Sequence, residues 1–198
     1  MKCVILASGS GERMKPLTNF IPKPLLEVNR KALIDYVLES LPEEIDEIII
    51  SVKHLGNQIK KHIGREYKGK KVRYVMGSSK GNAYSFINTR KFFDLEKGER
   101  FLLIYGDEIP YPENVKRCLK KELSVLFYKP SFFKPYTKDG VMVLNTDIFE
   151  NIPILTGSEH FSIMLDWFME NHKVAKVKAR HFVGEINTPE DFMSIWLK

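Results

Sequence analysis

Short apolar runs of strand length alternate with amphipathic segments along residues 1–110. The runs are rich in Val, Ile and Leu, and they predict four buried strands, at Val4–Leu6, Glu47–Val52, Val72–Met76 and Phe101–Tyr105. The intervening segments predict three helices, over Lys31–Leu41, over Asn57–Tyr67 and from Asn82 onward. Continuous apolar strands that alternate with helices are typical of a mostly parallel sheet covered by helices on both faces. The pattern therefore predicts an α/β fold.

The pattern becomes less regular after Pro112. Further strands are predicted near Ser124–Tyr128, Val141–Asn145 and Val174–Lys178, and further helices near Ser158–Glu170 and Pro189–Trp196. A chain of 198 residues can bury a sizeable core as one domain. We therefore expect a single domain in which residues 1–110 form one half. Residues 111–198 would form a small annex that closes a ligand-binding site.

Three loops leave the carboxyl ends of predicted strands and contain unusual residues. They are Ser8–Lys23, Gly77–Asn82 and Gly106–Glu108. In a parallel α/β sheet, ligands bind at the carboxyl ends of the strands. The sequence thus predicts a binding site where these loops meet.

The first loop has the glycine spacing of a phosphate-binding segment. Gly9 and Gly11 would let backbone N–H groups approach phosphate oxygens without obstruction by a side chain. No GK[ST] follows, and the prolines of the loop predict an extended path in place of the helix that a dinucleotide fingerprint requires. Arg13 and Lys23 supply two cations that could bind the polyphosphate of a nucleotide.

The stretch GSGERMKPLTNFIPKPLLEV, followed by KALIDYVLESL, resembles the N-terminal signature of the sugar-phosphate nucleotidyltransferases. The resemblance implies a Rossmann-like three-layer α/β/α fold and transfer of a nucleoside monophosphate from a nucleoside triphosphate to a sugar 1-phosphate. Pyrophosphate would be released, with Mg²⁺ as the cofactor. The similarity extends to three later motifs, at Lys80–Ala83, Leu102–Asp107 and Gly184–Asp191.

The resemblance also implies roles for individual residues. Nucleotide binding is implied for Leu6, Ala7, Ser8, Gly9, Gly11, Arg13 and Gly81. Catalytic roles are implied for Arg13 and Lys23, and metal binding for Asp107 and Glu185. The last motif departs from the family's D-I-G-T-P-E-D, because Glu185 replaces the leading Asp and Asn187 replaces the Gly.

Two of these motifs also have a purely structural interpretation. Asn82 is a candidate cap for the helix that it opens. The run from Thr188 to Asp191 is a candidate capping box for the last helix, with Pro189 at its first position.

Other departures from the family pattern concern the substrates. Met76 stands where many members have a Gln or Glu that reads the base. The first loop and the Gly81-Asn82-Ala83 helix start are most similar to the uridylyl and thymidylyl members, which favours a pyrimidine nucleotide. The segment between Asp107 and Gly140 is short for the family, so Lys129 is either the family's clamp for the sugar phosphate or part of an unrelated strand end. Gly140 fits the sugar-side glycine.

Composition limits the alternatives. The net charge of +6 favours anionic partners, but the lysines are dispersed and do not predict nucleic-acid binding. Two distant cysteines and the absence of a long apolar segment predict a cytoplasmic protein outside the membrane. We expect a monomer or small homo-oligomer. Two other functions stay open: transfer to a phospho-alcohol such as phosphocholine or inositol phosphate, and a non-catalytic nucleotide-binding regulatory module.

Overall fold

A computed structural model describes residues 1–129, 135–155, 160–180 and 186–196. The strands are β1 (Lys2–Ala7), β2 (Glu27–Val28), β3 (Lys31–Ala32), β4 (Glu47–Val52), β5 (Glu66–Tyr67), β6 (Lys70–Met76), β7 (Arg100–Tyr105), β8 (Ser124–Tyr128), β9 (Thr137–Asn145) and β10 (Ala175–Lys178). The α-helices are α1 (Leu33–Ser40), α2 (Gly56–Ile63), α3 (Asn82–Ile87), α4 (Pro112–Leu119), α5 (Phe161–Asn171) and α6 (Pro189–Trp196). Among these described helices, none combines the length and apolar character needed to cross a bilayer.

Eight strands form one sheet in the order β10-β8-β9-β7-β1-β4-β6-β5. Strand β1 lies between β4 and β7 and is parallel to both, and β4 is parallel to β6. The antiparallel members are β5, at one edge, and β9, which lies between β7 and β8. The predicted mostly parallel sheet is confirmed, and the strands of residues 111–198 continue the same sheet.

Alternate residues of each strand enter different cores on the two faces of the sheet. In β1, Cys3 and Ile5 belong to one core, and Val4 and Leu6 belong to the other. Apolar residues of α1, α2 and α4 complete the first core. Residues of α3 and α5 complete the second core, where Phe86 stacks on Phe149 at 4.7 Å between ring centroids. Helices therefore cover both faces of the sheet, as in the predicted three-layer α/β/α fold.

The order of the strands determines where a ligand can enter. From β1 the chain first adds β4 and β6 on one side and then returns to place β7 on the other. The loops after β1 and β7 thus separate at the carboxyl edge of the sheet and leave a crevice there.

Two helix predictions were wrong in their bounds, and one helix was not predicted. Helix α1 begins at Leu33, because the preceding Lys31–Ala32 pairs with β2 as a short hairpin. Helix α2 ends at Ile63, because Gly64 adopts a φ of 80° and the chain then forms β5. Helix α4 was missed, because its apolar face consists mainly of Val115 and Cys118.

Candidate active site

A cavity of about 380 Å³ lies at the crevice beside β1 and β7. Its wall combines the end of β1, the loop that follows β1, and residues from three later segments. It is lined by Leu6, Ala7, Ser8, Gly9, Ser10, Gly11, Glu12, Arg13, Met14, Lys23, Pro24, Asn82, Tyr105, Asp107 and Asn187. The predicted nucleotide-binding residues of the first loop, both predicted catalytic cations and Asp107 therefore surround one space.

The loop after β1 is wound into short 3-10 turns and is not extended as predicted. The turns span Glu12–Met14, Leu17–Asn19 and Lys23–Leu25. Gly11 has a φ of 67°, and the Thr18 hydroxyl donates to its carbonyl at 2.8 Å. A Cβ on Gly11 would lie 2.8 Å from Thr18 Cγ2, so this close packing requires glycine.

Lys23 and Asp107 form an ion pair inside the cavity. Lys23 Nζ lies 2.5 Å from Asp107 Oδ2, and the lysine is buried while about a third of the aspartate side chain is exposed. Asp107 follows Gly106, whose N–H donates to the Leu6 carbonyl at 2.9 Å. A Cβ on Gly106 would lie 2.9 Å from Ala7 Cβ, so glycine allows the end of β7 to lie close against β1.

Asn187 links the C-terminal segment to both predicted catalytic cations. Its Oδ1 accepts a hydrogen bond from Arg13 Nη2 at 2.9 Å and a longer one from Lys23 Nζ at 3.5 Å. The backbone N–H of Asn187 donates to Asp191 Oδ2 at 2.9 Å. Asp191 also accepts from Thr188 N at 2.9 Å, and its own N–H donates to Thr188 Oγ1 at 3.2 Å. The predicted capping box is confirmed, and it anchors the residue that contacts both cations.

The loop between β6 and α3 packs directly on the first loop. A Cβ on Gly77 would lie 2.3 Å from Ser8 Cβ, so the two loops are in contact at this glycine. Gly81 has a φ of 116° and precedes α3, and it does not line the cavity. Asn82 does not cap α3 with its side chain. Its Oδ1 instead accepts from the N–H of Phe161 at 2.8 Å, at the start of α5.

Met76, which replaces the usual base-reading residue, and Lys129, the candidate sugar-phosphate clamp, both lie outside the cavity wall. Met76 ends β6 with 65% of its surface exposed, and its carbonyl accepts from Asn88 Nδ2 at 2.9 Å. Lys129 directly follows β8 and is exposed. Neither side chain therefore contributes to the wall of the cavity.

Gly140 lies on β9 against the carboxyl group of Glu108. Its N–H donates to Glu108 Oε2 at 3.1 Å and to Asp139 Oδ1 at 2.8 Å. A Cβ on Gly140 would lie within 2.3–2.5 Å of the Glu108 carboxyl atoms, so glycine makes room for this acid. Burial raises the pKa of Glu108 well above its usual range, and the neighbouring Asp139 adds to the rise. This carboxyl accordingly keeps its proton to a higher pH than an exposed one.

The residues present are compatible with Mg²⁺. Glu185, one of the two predicted ligands, lies outside the described residues, among which no group of three or more His, Cys, Asp or Glu could hold a metal ion. Mg²⁺ is usually bound through one or two carboxylates together with substrate phosphates and water, and so does not require such a group. The partly exposed carboxylate of Asp107 provides a suitable oxygen in the cavity wall.

The sequence placed Asn82 and Glu108 in loops beside the predicted site and Asn187 in the last motif, but it assigned no contact in the site to any of the three. Asn187 replaces the glycine of the family pattern, and this polar replacement was the signal in the sequence that could have indicated a role in the site. Asn82 accepts a hydrogen bond from α5, 79 positions later in the chain, and Glu108 accepts one from β9, 32 positions later. Spacing along the chain gives no signal for such contacts.

Comparison with protein families defines the class of this protein. The model of the family described as Nucleotidyl transferase matches residues 2–125, which include β1 to β7 and the loops that line most of the cavity. The chain belongs to this family, which confirms the resemblance identified from its sequence.

Individual relatives extend the comparison. The D-glycero-alpha-D-manno-heptose 1-phosphate guanylyltransferase of Campylobacter jejuni is 27% identical over 219 residues, covering 97% of each chain. The choline-phosphate cytidylyltransferase of Streptococcus pneumoniae is 49% identical over 59 residues, which are 29% of this chain and 26% of that enzyme. A solved structure of a putative glucose-1-phosphate thymidylyltransferase from Bacillus anthracis has a TM-score of 0.82 at 19% identity, covering 100% of this chain and 94% of the other. The last comparison confirms the fold.

Proposed function

We propose that the protein transfers a nucleoside monophosphate from a nucleoside triphosphate to a sugar 1-phosphate and releases pyrophosphate. The observation that carries this proposal is the convergence of Arg13, Lys23 and Asp107 on a cavity bordered by the glycine loop. Two cations and a carboxylate at one point suit a triphosphate and its metal ion better than they suit an uncharged ligand. Full-length similarity to a sugar 1-phosphate guanylyltransferase supports the choice of acceptor.

The reaction requires little covalent chemistry from the protein. An oxygen of the sugar phosphate attacks the α-phosphorus of the nucleotide, a new P–O bond forms, and the bond to the β-phosphate breaks. Pyrophosphate leaves with the electron pair of that bond. Because a phosphate nucleophile is already ionised at neutral pH, no general base is needed. The protein contributes positioning and charge stabilisation.

Each cation has a distinct part in this proposal. Lys23 is buried, so its charge acts through a medium of lower dielectric than water and counts most where charge develops at the α-phosphate. Arg13 is exposed on the same loop, and its planar guanidinium is suited to hold the leaving pyrophosphate together with the loop amides. Asp107 and Glu185 would hold Mg²⁺, which supplies neutralisation of phosphate charge when bound.

The assignment of residues to the acceptor rests on the family pattern. Gly140 and Lys129 belong to the half of the chain that follows β7, and we assign them to the sugar phosphate because they match the family's sugar-side pattern. The 49% identity over 59 residues to a choline-phosphate cytidylyltransferase supports a second candidate, transfer to a phospho-alcohol. The proposal places the enzyme in the cytoplasm, where its two buried, free cysteines stay reduced.

The test is a substrate panel. ATP, GTP, CTP, UTP and dTTP are each paired with several sugar 1-phosphates, phosphocholine and inositol phosphate, in the presence of Mg²⁺. Release of pyrophosphate is measured, and the joined product is identified by mass. We expect turnover with at least one sugar 1-phosphate and none with Asp107→Asn. Product from phosphocholine alone would transfer the proposal to the phospho-alcohol. Nucleotide binding without any product would favour the regulatory module.

A further inference from the structure

We infer that Asn187 is a positioning residue that orients Arg13 and Lys23 towards the phosphates of the nucleotide, an inference that rests on the proposed function. Its amide oxygen lies 2.9 Å from Arg13 Nη2 and 3.5 Å from Lys23 Nζ. A single side chain from the C-terminal segment therefore contacts both cations, which belong to a loop more than 160 positions earlier in the chain.

The chemistry of the amide suits this role. An amide oxygen is neutral, so it fixes the direction of a cation without cancelling its charge. A guanidinium has five N–H donors, and one hydrogen bond to Asn187 leaves the others for phosphate oxygens. A carboxylate at the same place would form an ion pair with Arg13 and compete with the phosphates.

The two cations depend on Asn187 to different degrees. Arg13 is exposed, and a long exposed side chain loses considerable conformational freedom when it binds a ligand. Lys23 is already held by Asp107 at 2.5 Å, so its longer contact with Asn187 is secondary. The main effect of Asn187 should thus be on binding of the nucleotide through Arg13, and less on the chemical step through Lys23.

The backbone at Asn187 is fixed independently of its side chain. Its N–H and that of Thr188 both donate to Asp191, and neither bond involves the side chain of Asn187. Asn187→Gly therefore removes the amide while it keeps the cap of α6. The same substitution restores the residue of the family pattern, which makes it a sharp test of what the amide adds.

The experiment measures binding of Mg²⁺-pyrophosphate, Mg²⁺-GTP and Mg²⁺-UTP by calorimetry, together with kcat, KM and Tm. Pyrophosphate is included because it has no base. For Asn187→Gly we expect Kd to rise about 3- to 10-fold for all three probes, from the freedom regained by one side chain. The ratio of the GTP and UTP affinities should not change, and kcat should fall less than the Kd rises. Asn187→Asp should weaken binding more than Asn187→Gly, and Asn187→Gln should recover part of the loss.

The matched control is Asn171→Gly. Asn171 ends α5, its Nδ2 donates to the Trp167 carbonyl at 2.9 Å, and it does not line the cavity. Its substitution should leave all three Kd values unchanged. If Asn187→Gly lowers Tm but binds the probes as the wild type does, the positioning role is wrong and the residue is purely structural. If the wild type binds none of the probes, the proposed function itself fails.

Discussion

Lys23 Nζ and Asp107 Oδ2 lie 2.5 Å apart, although the two residues are 84 positions apart in the chain. One ends the glycine loop after β1, and the other follows β7 on the opposite side of the crevice. Because the lysine is buried and the aspartate is partly exposed, the pair has one anchored member and one that faces incoming ligands. This relationship underlies the first two predictions.

Lys23→Ala should reduce kcat by about 100- to 1000-fold, the range typical for loss of one preorganised group that stabilises charge in a transition state. The KM for the nucleotide should change much less, because Arg13 and the loop amides remain. Steady-state pyrophosphate release separates the two effects. Lys15→Ala is the control, since Lys15 lies on the same loop but is half-exposed and paired with Glu12. A kcat within a factor of about three of wild type would remove Lys23 from the mechanism.

Asp107→Asn should abolish Mg²⁺-dependent turnover while the protein stays folded. The amide keeps the size of the side chain but binds Mg²⁺ far more weakly than a carboxylate. Activity is measured across a Mg²⁺ titration, and folding by circular dichroism. Asp94→Asn removes a surface carboxylate paired with Lys97 and should leave activity unchanged. Restoration of full activity in Asp107→Asn by ordinary Mg²⁺ concentrations would contradict the assignment.

Gly9 and Gly11 should respond differently to alanine. Gly11 has a φ of 67°, and its Cβ would lie 2.8 Å from Thr18, so Gly11→Ala should lower the free energy of unfolding by about 1–3 kcal/mol. A Cβ on Gly9 meets no atom within 4 Å. Gly9→Ala should therefore keep its stability but weaken nucleotide binding, because the methyl group would occupy cavity space. Thermal unfolding and calorimetric binding measure the two effects. Equal Tm losses would contradict the packing argument, and unchanged nucleotide binding by Gly9→Ala would show that the cavity explanation is wrong.

Gly140→Ala should destabilise the fold by about 1–3 kcal/mol, because its Cβ would overlap the Glu108 carboxyl group. The same change in a Glu108→Ala background should cost less, since the carboxyl group is gone. A double-mutant cycle on chemical denaturation measures this coupling. Additive effects of the two substitutions would mean that Glu108 moves aside without cost.

Both cysteines should be unreactive in the native protein. Burial raises the pKa of the Cys118 thiol to about 11, and it raises the pKa of the Cys3 thiol still further. The thiolate is the reactive form, so its fraction at pH 8 is very small and grows only as the pH approaches these values. Titration with a thiol reagent at pH 8 should label neither cysteine before denaturation and both afterwards. Rapid labelling of folded protein would show that β1, which contains Cys3, or α4, which contains Cys118, opens readily.

The sequence predicted the elements whose apolar pattern is strong. Strand β4 has the predicted bounds Glu47–Val52, and α6 has the predicted bounds Pro189–Trp196, because the first is a continuous apolar run and the second begins with a clear capping motif. Helix α4 was missed because its few buried residues include the polar Asn114, so its pattern resembles that of a loop.

The site could be predicted in part for a similar reason. The first loop and Asp107 could be predicted because each follows an apolar strand and combines glycine with charged residues. Such a pattern is visible within a short stretch of sequence. The sequence did not reveal that Asp107 pairs with Lys23, or that Asn187 contacts Arg13. Those contacts depend on how distant strands are ordered in the sheet, which no local pattern specifies. The roles assigned to the individual residues stay predictions until the variants are measured.

The position of β9 between β7 and β8 limits how the enzyme could be taken apart or recombined. A fragment that ended at residue 110 would retain β7 but leave its outer backbone edge without a partner. Phe101–Ile104 of that strand are all buried in the intact protein, so the fragment would expose an unpaired apolar strand edge and tend to aggregate. Replacement of the residues after β7 by those of a relative therefore requires that the relative supply a strand that pairs with β7 in the same register as β9.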